Sequence, residues 1–413
     1  MSVSPRKAGF LPVILGTMIH GYTPARSFHE TYGVKSVMLG KYKTGFTWGS
    51  SILDIELHDD ISEDEGFLRV LTQKARQLKA TYGVPLVLVP SNDMYVELVA
   101  RHADTIRQHY VFNSPDETLR SQIMDKQAFY QLAAQHGIDI PATQVHQMGE
   151  PFTLEVDRFP VIIKPANPNQ WWLNHQKIAG HQKIYRLNSI EEVHQVVRAV
   201  EASDYRDSLI IQEFVPGDDS RIWDAVLYLN SEAKCELVTL GQVALQEHES
   251  HLVGSYTAII SKYDEELMLK FKEFLETIGY TGVANVDMKW DERDGVYKVM
   301  EINCRPGRSS YYPAQMGHPV MQYLVDDVVF GRRKGLTLAQ ADILFRVVPK
   351  YVLRKYVTDP ETRAEVDRLL AEGKDTNPLV YAKDISPRRN ASLLRRYLVQ
   401  GRRYEATTWR HGL

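Results

Sequence analysis

Short apolar runs alternate with amphipathic stretches through the first ninety residues. Pro12-Val-Ile-Leu-Gly16, Ser36-Val-Met-Leu-Gly40 and Pro85-Leu-Val-Leu-Val-Pro90 read as buried strands, each closed by a turn former. Between the first two, residues 23–32 read as a helix, with Pro24 near its start and Gly33 after its end. A second helical pattern covers roughly 63–82. Strands alternating with helices predict a parallel, Rossmann-like sheet. Ligands of such sheets bind beyond the strand C-termini. Gly16 and Thr17, the His20-Gly21 turn, and Ser91, Asn92 and Asp93 fall there, so they are candidate substrate-binding residues.

The pattern then changes. Ser114-Pro-Asp-Glu117 is a capping box with Pro at the first helical position, and a domain boundary is expected at 113/114. Residues 155–260 carry strand runs, among them Val161-Ile-Ile-Lys164 and Leu209-Ile-Ile-Gln-Glu-Phe-Val215. Helices are expected near 189–202, opened by a second capping box, and near 264–278. From Gly331 the chain turns basic: Arg332-Arg333-Lys334, then Arg388, Arg389, Arg395, Arg396, Arg402, Arg403 and Arg410 against Glu405. Leu393, Leu394, Tyr397 and Leu398 fit an amphipathic helix there. The expected domains are 1–113, 114–330 and 331–413, the last basic and largely helical.

Composition adds bounds. A chain of 413 residues with 44% hydrophobic and 24% charged residues suits a folded globular protein of two or three domains. A net charge of −3 gives no global attraction to nucleic acid, and no nucleic-acid partner is expected. The two cysteines, Cys235 and Cys304, fit a reducing, cytoplasmic setting and have no metal-site spacing. No run of 18 apolar residues is present, and Met1 to Gly9 lacks a signal-peptide core.

The stretch from Val283 to Gly307 carries the most chemistry. Asp294-Gly295 is a hairpin turn signal between two runs rich in Val, Met and Tyr. Residues two apart on a strand share a face, so Glu301, Asn303 and Arg305 project together, and a turn centred near Asp294 places Asp287 across from Glu301. Carboxylate and amide oxygens suit Mg²⁺, which makes Asp287, Glu301 and Asn303 the candidate metal ligands.

Four segments now stand in one order: Asp125-Lys126; Val161-Ile-Ile-Lys164-Pro; Gln212-Glu213-Phe-Val-Pro-Gly-Asp-Asp219; and the hairpin ending in Glu301-x-Asn303-x-Arg305-Pro-Gly. Over about residues 10–330 this set resembles the ATP-grasp superfamily of carboxylate–amine ligases. The resemblance implies a mixed α/β and α+β architecture: a Rossmann-like N-terminal (pre-ATP-grasp) domain, an ATP-grasp domain of two lobes with ATP between them, and a C-terminal extension. It implies ATP and two Mg²⁺ ions. Lys126 and Lys164 would contact the phosphates. Gln212, Glu213, Phe214 and Val215 would form the hinge over adenine, and Asp218 or Asp219 would accept from the ribose. Residues 167–183 would form the loop over the triphosphate. That loop departs from the Gly/Ser-rich pattern of many family members, leaving phosphate contact to His175, Lys177 or Lys183; Trp171-Trp172 reads as a lid or as packing. Arg305 and Lys164 would be catalytic. Arg308, Ser309, Ser310 and Tyr311 would orient an acceptor carboxylate.

Within the superfamily, the opening Val13–Glu30 stretch and Ser91-Asn92-Asp93 are similar to D-aspartate ligases of Gram-positive bacteria. That likeness implies activation of a D-aspartate β-carboxylate and its transfer to a lysine side chain of a peptidoglycan precursor, nucleotide- or lipid-linked. Arg26 is then a candidate partner of a substrate carboxylate. Another carboxylate–amine ligase, for example a dipeptide former, and a non-catalytic nucleotide-binding regulator are the alternatives. The basic tail reads either as a solvated face packed on the body or as a docking surface for an anionic precursor or membrane surface. A homodimer stays open.

Overall fold

In the computed structural model, residues 2–166, 168–174, 176–182, 184–249 and 252–406 are described. The chain divides into two compact units. Among the described residues, one comprises 2–121, 219–287 and 302–406, the other 122–218 and 288–301. This differs from the division expected at 113 and 330. The basic region beyond 331 belongs to the same unit as the N-terminal sheet.

The first unit opens with four parallel strands, β1 (Leu11–Leu15), β2 (Ser36–Gly40), β3 (Leu53–Leu57) and β4 (Leu86–Pro90), in the order β3-β2-β1-β4. β1 and β2 are buried along their whole length, as expected of parallel strands covered on both faces. The helix Ile19–Tyr32 follows β1 and stops at Gly33, whose φ of 69° permits the left-handed cap. The Rossmann-like sheet read from the sequence is therefore present.

The second unit holds β5 (Thr143–Gln147), β6 (Val161–Pro165), β7 (Tyr185–Leu187) and β8 (Ser208–Glu213), in the antiparallel order β5-β8-β6-β7. The helix Ile190–Glu201 is capped by Ser189, whose side chain accepts from the Glu192 N–H. Trp171, Tyr205 and Val197 fill the core of this unit.

A larger sheet runs β13-β12-β9-β10-β11-β15-β16, from β9 (Ile222–Leu229), β10 (Cys235–Gln246), β11 (Tyr256–Lys262), β12 (Gly282–Asp291), β13 (Val296–Asn303), β15 (Leu344–Arg346) and β16 (Asp375–Thr376), while β14 (Thr337–Leu338) pairs with β10. The β12–β13 hairpin forms where Asp294-Gly295 predicts it. Gly295 sits at φ 67°, and its N–H closes on the Asp291 carbonyl at 2.8 Å. The hairpin tip, 288–301, counts with the second unit. Strands β15 and β16 come from the region beyond 331 and complete the first unit's sheet. The Pro387–Ala406 helix packs on the same unit. No helix is long and apolar enough to cross a membrane among the described residues.

Candidate active site

The second unit gathers the expected phosphate-side residues. Lys164 closes β6 and Lys126 opens the helix Lys126–Gln135, whose cap is Asp125. Lys126 Nζ lies 3.4 Å from Glu301 Oε2. Lys164 Nζ donates to Gln212 Oε1 at 3.2 Å. The Gln212 amide is itself fixed by donating to Tyr130 Oη and Thr143 Oγ1, both at 2.8 Å. Burial pushes the Lys164 ammonium down to about 7; the Lys126 charge acts in the same direction and Glu301 opposes both. A desolvated lysine beside a second cation is poised for an anionic ligand.

The first unit gathers another chain of contacts. Asn303 Nδ2 donates to Asp287 Oδ2 at 3.0 Å. Arg305 Nη2 donates to Asn303 Oδ1 at 3.0 Å, and Arg305 Nε donates to Asp93 Oδ1 at 2.7 Å. A carboxylate and an amide carbonyl on neighbouring strands are hard oxygen donors of the kind Mg²⁺ takes. Glu301 stands two residues before Asn303 on β13, on the part of the hairpin that counts with the second unit. The Asp287 and Asn303 oxygens fit the ion by their chemistry.

His20, near the start of the helix after β1, belongs to this region too. Burial drives its imidazole down to about 3, and the charges of Arg308 and Arg305 add to the effect. It is a neutral ring at any physiological pH. Arg308 is desolvated, which lowers its pKa, while Glu247 opposes that shift. Its Nη1 lies 3.5 Å from Glu247 Oε1.

Several expected ligands hold structure instead. The Arg26 guanidinium lies inside the first unit. Its Nη1 donates to the carbonyls of Asn377, Pro378 and Val380 at 2.7, 2.7 and 2.8 Å, and its Nε donates to Glu30 at 2.9 Å. With its donors so engaged, it anchors the 377–380 loop rather than a substrate. Ser91 donates to the Leu15 carbonyl at 2.6 Å, and Asn92 caps the helix Asp93–Arg101. Gly16, at φ 107°, lies so close to Ser91 that a Cβ there would meet the hydroxyl at 2.4 Å. Thr17 donates to the Tyr42 carbonyl at 2.7 Å. Gly16, Thr17, Ser91 and Asn92 thus shape loops through turn and backbone contacts.

Ser309 donates to the buried Asp224 at 2.9 Å, and Ser310 accepts from the Gly307 N–H at 2.7 Å. Both organise the turn after β13 instead of facing an acceptor.

The expected hinge is also re-read. Buried Glu213 is enclosed by cations: Lys298 donates to it directly, and Arg293 and Arg158 stand at 3.4 and 3.8 Å. Lys298 also reaches Asp291 at 3.1 Å and Asp294 at 2.7 Å. Glu213, Asp291 and Asp294 are close enough together to resemble a metal cage, but three basic side chains already neutralise them. The Glu213 N–H bonds to the Ala142 carbonyl and the Phe214 N–H to the Pro160 carbonyl, each at 2.8 Å. Those two N–H groups are closed to a purine. Phe214 is flanked by Arg186, 4.3 Å from its ring centroid, and Val215 is buried beside it. Both oxygens of Asp219 accept from Gln246, at 2.7 and 3.0 Å; Asp218 stays on the second unit.

Residues 168–173 form a short helix instead of an open loop. Trp171 is core: its Nε1 donates to the Gln182 carbonyl at 3.0 Å and its ring meets Tyr205 edge-on. Lys177 pairs with Asp204. The Trp172 side chain, His175, Lys183 and Arg410 lie outside the described residues.

Sequence reasoning passed over Glu247. The polar run Gln246-Glu-His-Glu249, beginning at the last residue of a largely apolar twelve-residue strand, was the available signal.

No protein-family model matches the chain. The architecture is the ATP-grasp fold. The L-amino acid ligase of Bacillus licheniformis superposes with a TM-score of 0.54 at 14% identity, over 77% of this chain and 73% of that one. The biotin carboxylase domain of the Hydrogenobacter thermophilus 2-oxoglutarate carboxylase, solved with MgADP, superposes with a TM-score of 0.56 at 13% identity, over 81% and 73%. In sequence, the chain is 29% identical to the D-aspartate ligase of Enterococcus faecium (strain Aus0004) over 390 residues, 92% of each chain.

Proposed function

We propose that the protein is an ATP- and Mg²⁺-dependent carboxylate–amine ligase that activates the β-carboxylate of D-aspartate and joins it to an amine of a peptidoglycan precursor peptide. The observation that carries the reaction class is the meeting of Lys126 and desolvated Lys164 beside Glu301. The end-to-end likeness to a D-aspartate ligase supports the substrate.

The chemistry needs cations and positioning rather than a protein nucleophile. A carboxylate oxygen attacks the γ-phosphorus of ATP, and the bond to ADP breaks. The amine nitrogen then attacks the acyl carbon, phosphate leaves, and the nitrogen loses a proton. The first step brings two anions together, so preorganised positive charge lowers its barrier. Lys126 and Lys164 contact the phosphates. Asp287 and Asn303, with Glu301 two residues before Asn303 on the same strand, would hold Mg²⁺, whose charge would offset that of the triphosphate when bound. Arg305, held by Asp93 and Asn303, faces the transferring phosphoryl group; Asp93 is its positioning residue. Asp218 accepts from the ribose, and the Phe214–Val215 segment lines the adenine.

Phosphate release, measured with ATP, Mg²⁺ and each amino acid in turn, with and without an amine, tests this reading. D-aspartate should support release that an amine accelerates. Release with no acid at all would sink the ligase reading; release with a different acid alone would sink the substrate. Glu301→Ala should cut turnover by about a hundredfold or more, as expected for loss of a group stabilising developing charge.

A further inference from the structure

The Pro387–Ala406 helix keeps only part of the amphipathic pattern expected of it: Leu393 is buried and Tyr397 half-buried. Leu394 and Leu398 are exposed, while Arg389 and Gln400 are buried. The buried stripe runs Arg389, Leu393, Gln400 and Tyr404, with half-buried Arg396 between them, at helical spacing of three and four. Burying basic and amide groups while exposing leucines is costly unless the inward groups have work to do.

Part of that stripe lines a cavity of about 320 Å³ with Gly45 and Phe46, the residues after β2. The helix approaches this loop closely: a Cβ on Gly45 would meet Ser392 Oγ at 2.5 Å. Arg395, Arg396 and Arg403 supply guanidinium groups, and Gln400 lies between them. Arg396 stacks on Phe46, 4.6 Å from its ring centroid. The arginines are partly balanced. Glu247 Oε1 stands 3.6 Å from Arg396, and Glu249 stands 3.6 Å from Arg403.

Two polar atoms in this lining have no hydrogen-bond partner among the described residues: Gln400 Oε1, an acceptor on a side chain about 2% exposed, and Arg396 Nε, a donor. Buried polar atoms without partners are uncommon and call for a ligand or water. An anion alone would answer the donor but leave the Gln400 oxygen facing another acceptor. A carboxylate with an adjacent ammonium answers both. The volume sits at the low end of the roughly 300–1,000 Å³ range of small-molecule sites, which suits an amino acid and not a nucleotide-linked peptide. Glu247 also stands 3.5 Å from Arg308. One carboxylate therefore connects the cavity to the turn that follows the catalytic hairpin.

We propose that this cavity binds the α-amino-acid head of the acid substrate: Arg396, with Arg395 at the mouth, takes the non-reacting carboxylate, and Gln400 takes the ammonium. This rests on the ligase reading above and names the residues that select its acid.

The test compares aspartate with succinate, which has the same two carboxylates and no ammonium. On the full chain, calorimetry without nucleotide and phosphate-release kinetics are run in parallel. Wild type should prefer aspartate by about tenfold or more, the worth of one hydrogen bond to a charged group. Gln400→Leu should bring the two acids to parity, and Gln400→Glu, which keeps an acceptor, should restore the preference. Arg396→Gln should raise the acid KM by about tenfold or more while the ATP KM stays within about twofold.

Thermal melts establish that each variant is folded. If Gln400→Leu does not fold, exposed Arg395→Gln decides, with the same selective rise in acid KM expected. An unchanged acid KM, an acid KM that rises in step with that of ATP, or retained preference in Gln400→Leu would overturn the proposal. Absence of turnover with any acid in wild type would instead remove the ligase reading, and calorimetry would still report on the cavity.

Discussion

At the scale of single residues, desolvation sets the charge states that matter. Lys164 titrates at about 7, so near pH 8 it is mostly neutral in the nucleotide-free protein. A bound triphosphate places negative charge beside it and draws the proton back. ATP binding at pH 8 should therefore take up about one proton. Calorimetry in two buffers of different ionisation enthalpy reads this directly. Lys164→Met should abolish the uptake; uptake unchanged in that variant would show that another group titrates. His20 acts in the opposite pH range. Its folded pKa, about 3, lies below the unfolded value. The neutral form is therefore favoured by folding, and the native state loses stability as pH falls from about 6.5 towards 3. Above pH 6.5 the effect vanishes. His20→Asn should flatten the acid side of a plot of denaturation midpoint against pH and leave the neutral side unchanged.

At the scale of elements, two buried polar networks tie strands together. Asp224 on β9 accepts from Asn285 on β12 at 2.7 Å and from Ser309 at 2.9 Å, with Tyr312 at 3.2 Å. Burial raises its pKa to about 6, against the pull of those hydrogen bonds. A folded pKa above the unfolded one means a cost that appears as pH rises from about 4 and is complete above 6. At about 1.4 kcal/mol per pH unit this is of order 3 kcal/mol. Asp224→Asn should raise the melting temperature at pH 7.5 and change it little at pH 4.

The second network surrounds Glu213. Lys298→Met would leave Glu213 and Asp291 short of a cation and should cost about 3–5 kcal/mol, read as a shift of the urea midpoint.

These networks also show what the chain alone discloses. The hairpin was legible because Asp294-Gly295 and the period-two alternation are local signals. Three strands of the parallel sheet were legible because they are almost wholly apolar; the fourth, β3, carries Asp54 and Glu56 and was not read. Glu213 looked like a hinge residue because its cations, Arg158, Arg293 and Lys298, are 55 to 85 positions away. Arg26 looked free because its partners lie some 350 residues on. Ser309 looked like a ligand because nothing in its vicinity in the sequence announces buried Asp224. Helical spacing put Leu393, Leu394, Tyr397 and Leu398 on the inward face of the Pro387–Ala406 helix, but Leu394 and Leu398 are exposed and Arg389 turns inward, because its partners Phe46 and Asp384 lie elsewhere in the chain.

At the scale of the molecule, the question is whether the region beyond 331 is an appendage or part of the first unit. Its contacts argue for the latter. Asp384 accepts from Tyr22 at 2.7 Å, from Ser50 at 2.9 Å and from the Ser51 N–H at 2.7 Å. Burial alone would raise its pKa; those donors and Arg389 hold it below the usual value. Arg389, fully buried, lies 4.0 Å over the Tyr22 ring and donates to the Phe46 carbonyl at 2.8 Å. Val347, Val348, Val352, Leu353, Val366 and Leu369 are buried to 1% exposure or less. At about 1.5–3 kcal/mol for each aliphatic side chain, such a set is worth roughly 10 kcal/mol or more. That equals the whole net stability of an ordinary domain, about 5–15 kcal/mol. Removing the region would also strip β15 from β11 and leave a long apolar edge, which favours aggregation. A chain ending before Gly331 should therefore be insoluble, or soluble without a cooperative melt and with exposed apolar surface that binds a hydrophobic dye. A truncated chain that melts cooperatively and keeps wild-type KM for a small acid would show instead that the region is a docking arm, and would separate Arg396 and Gln400 from the acid site in the same experiment.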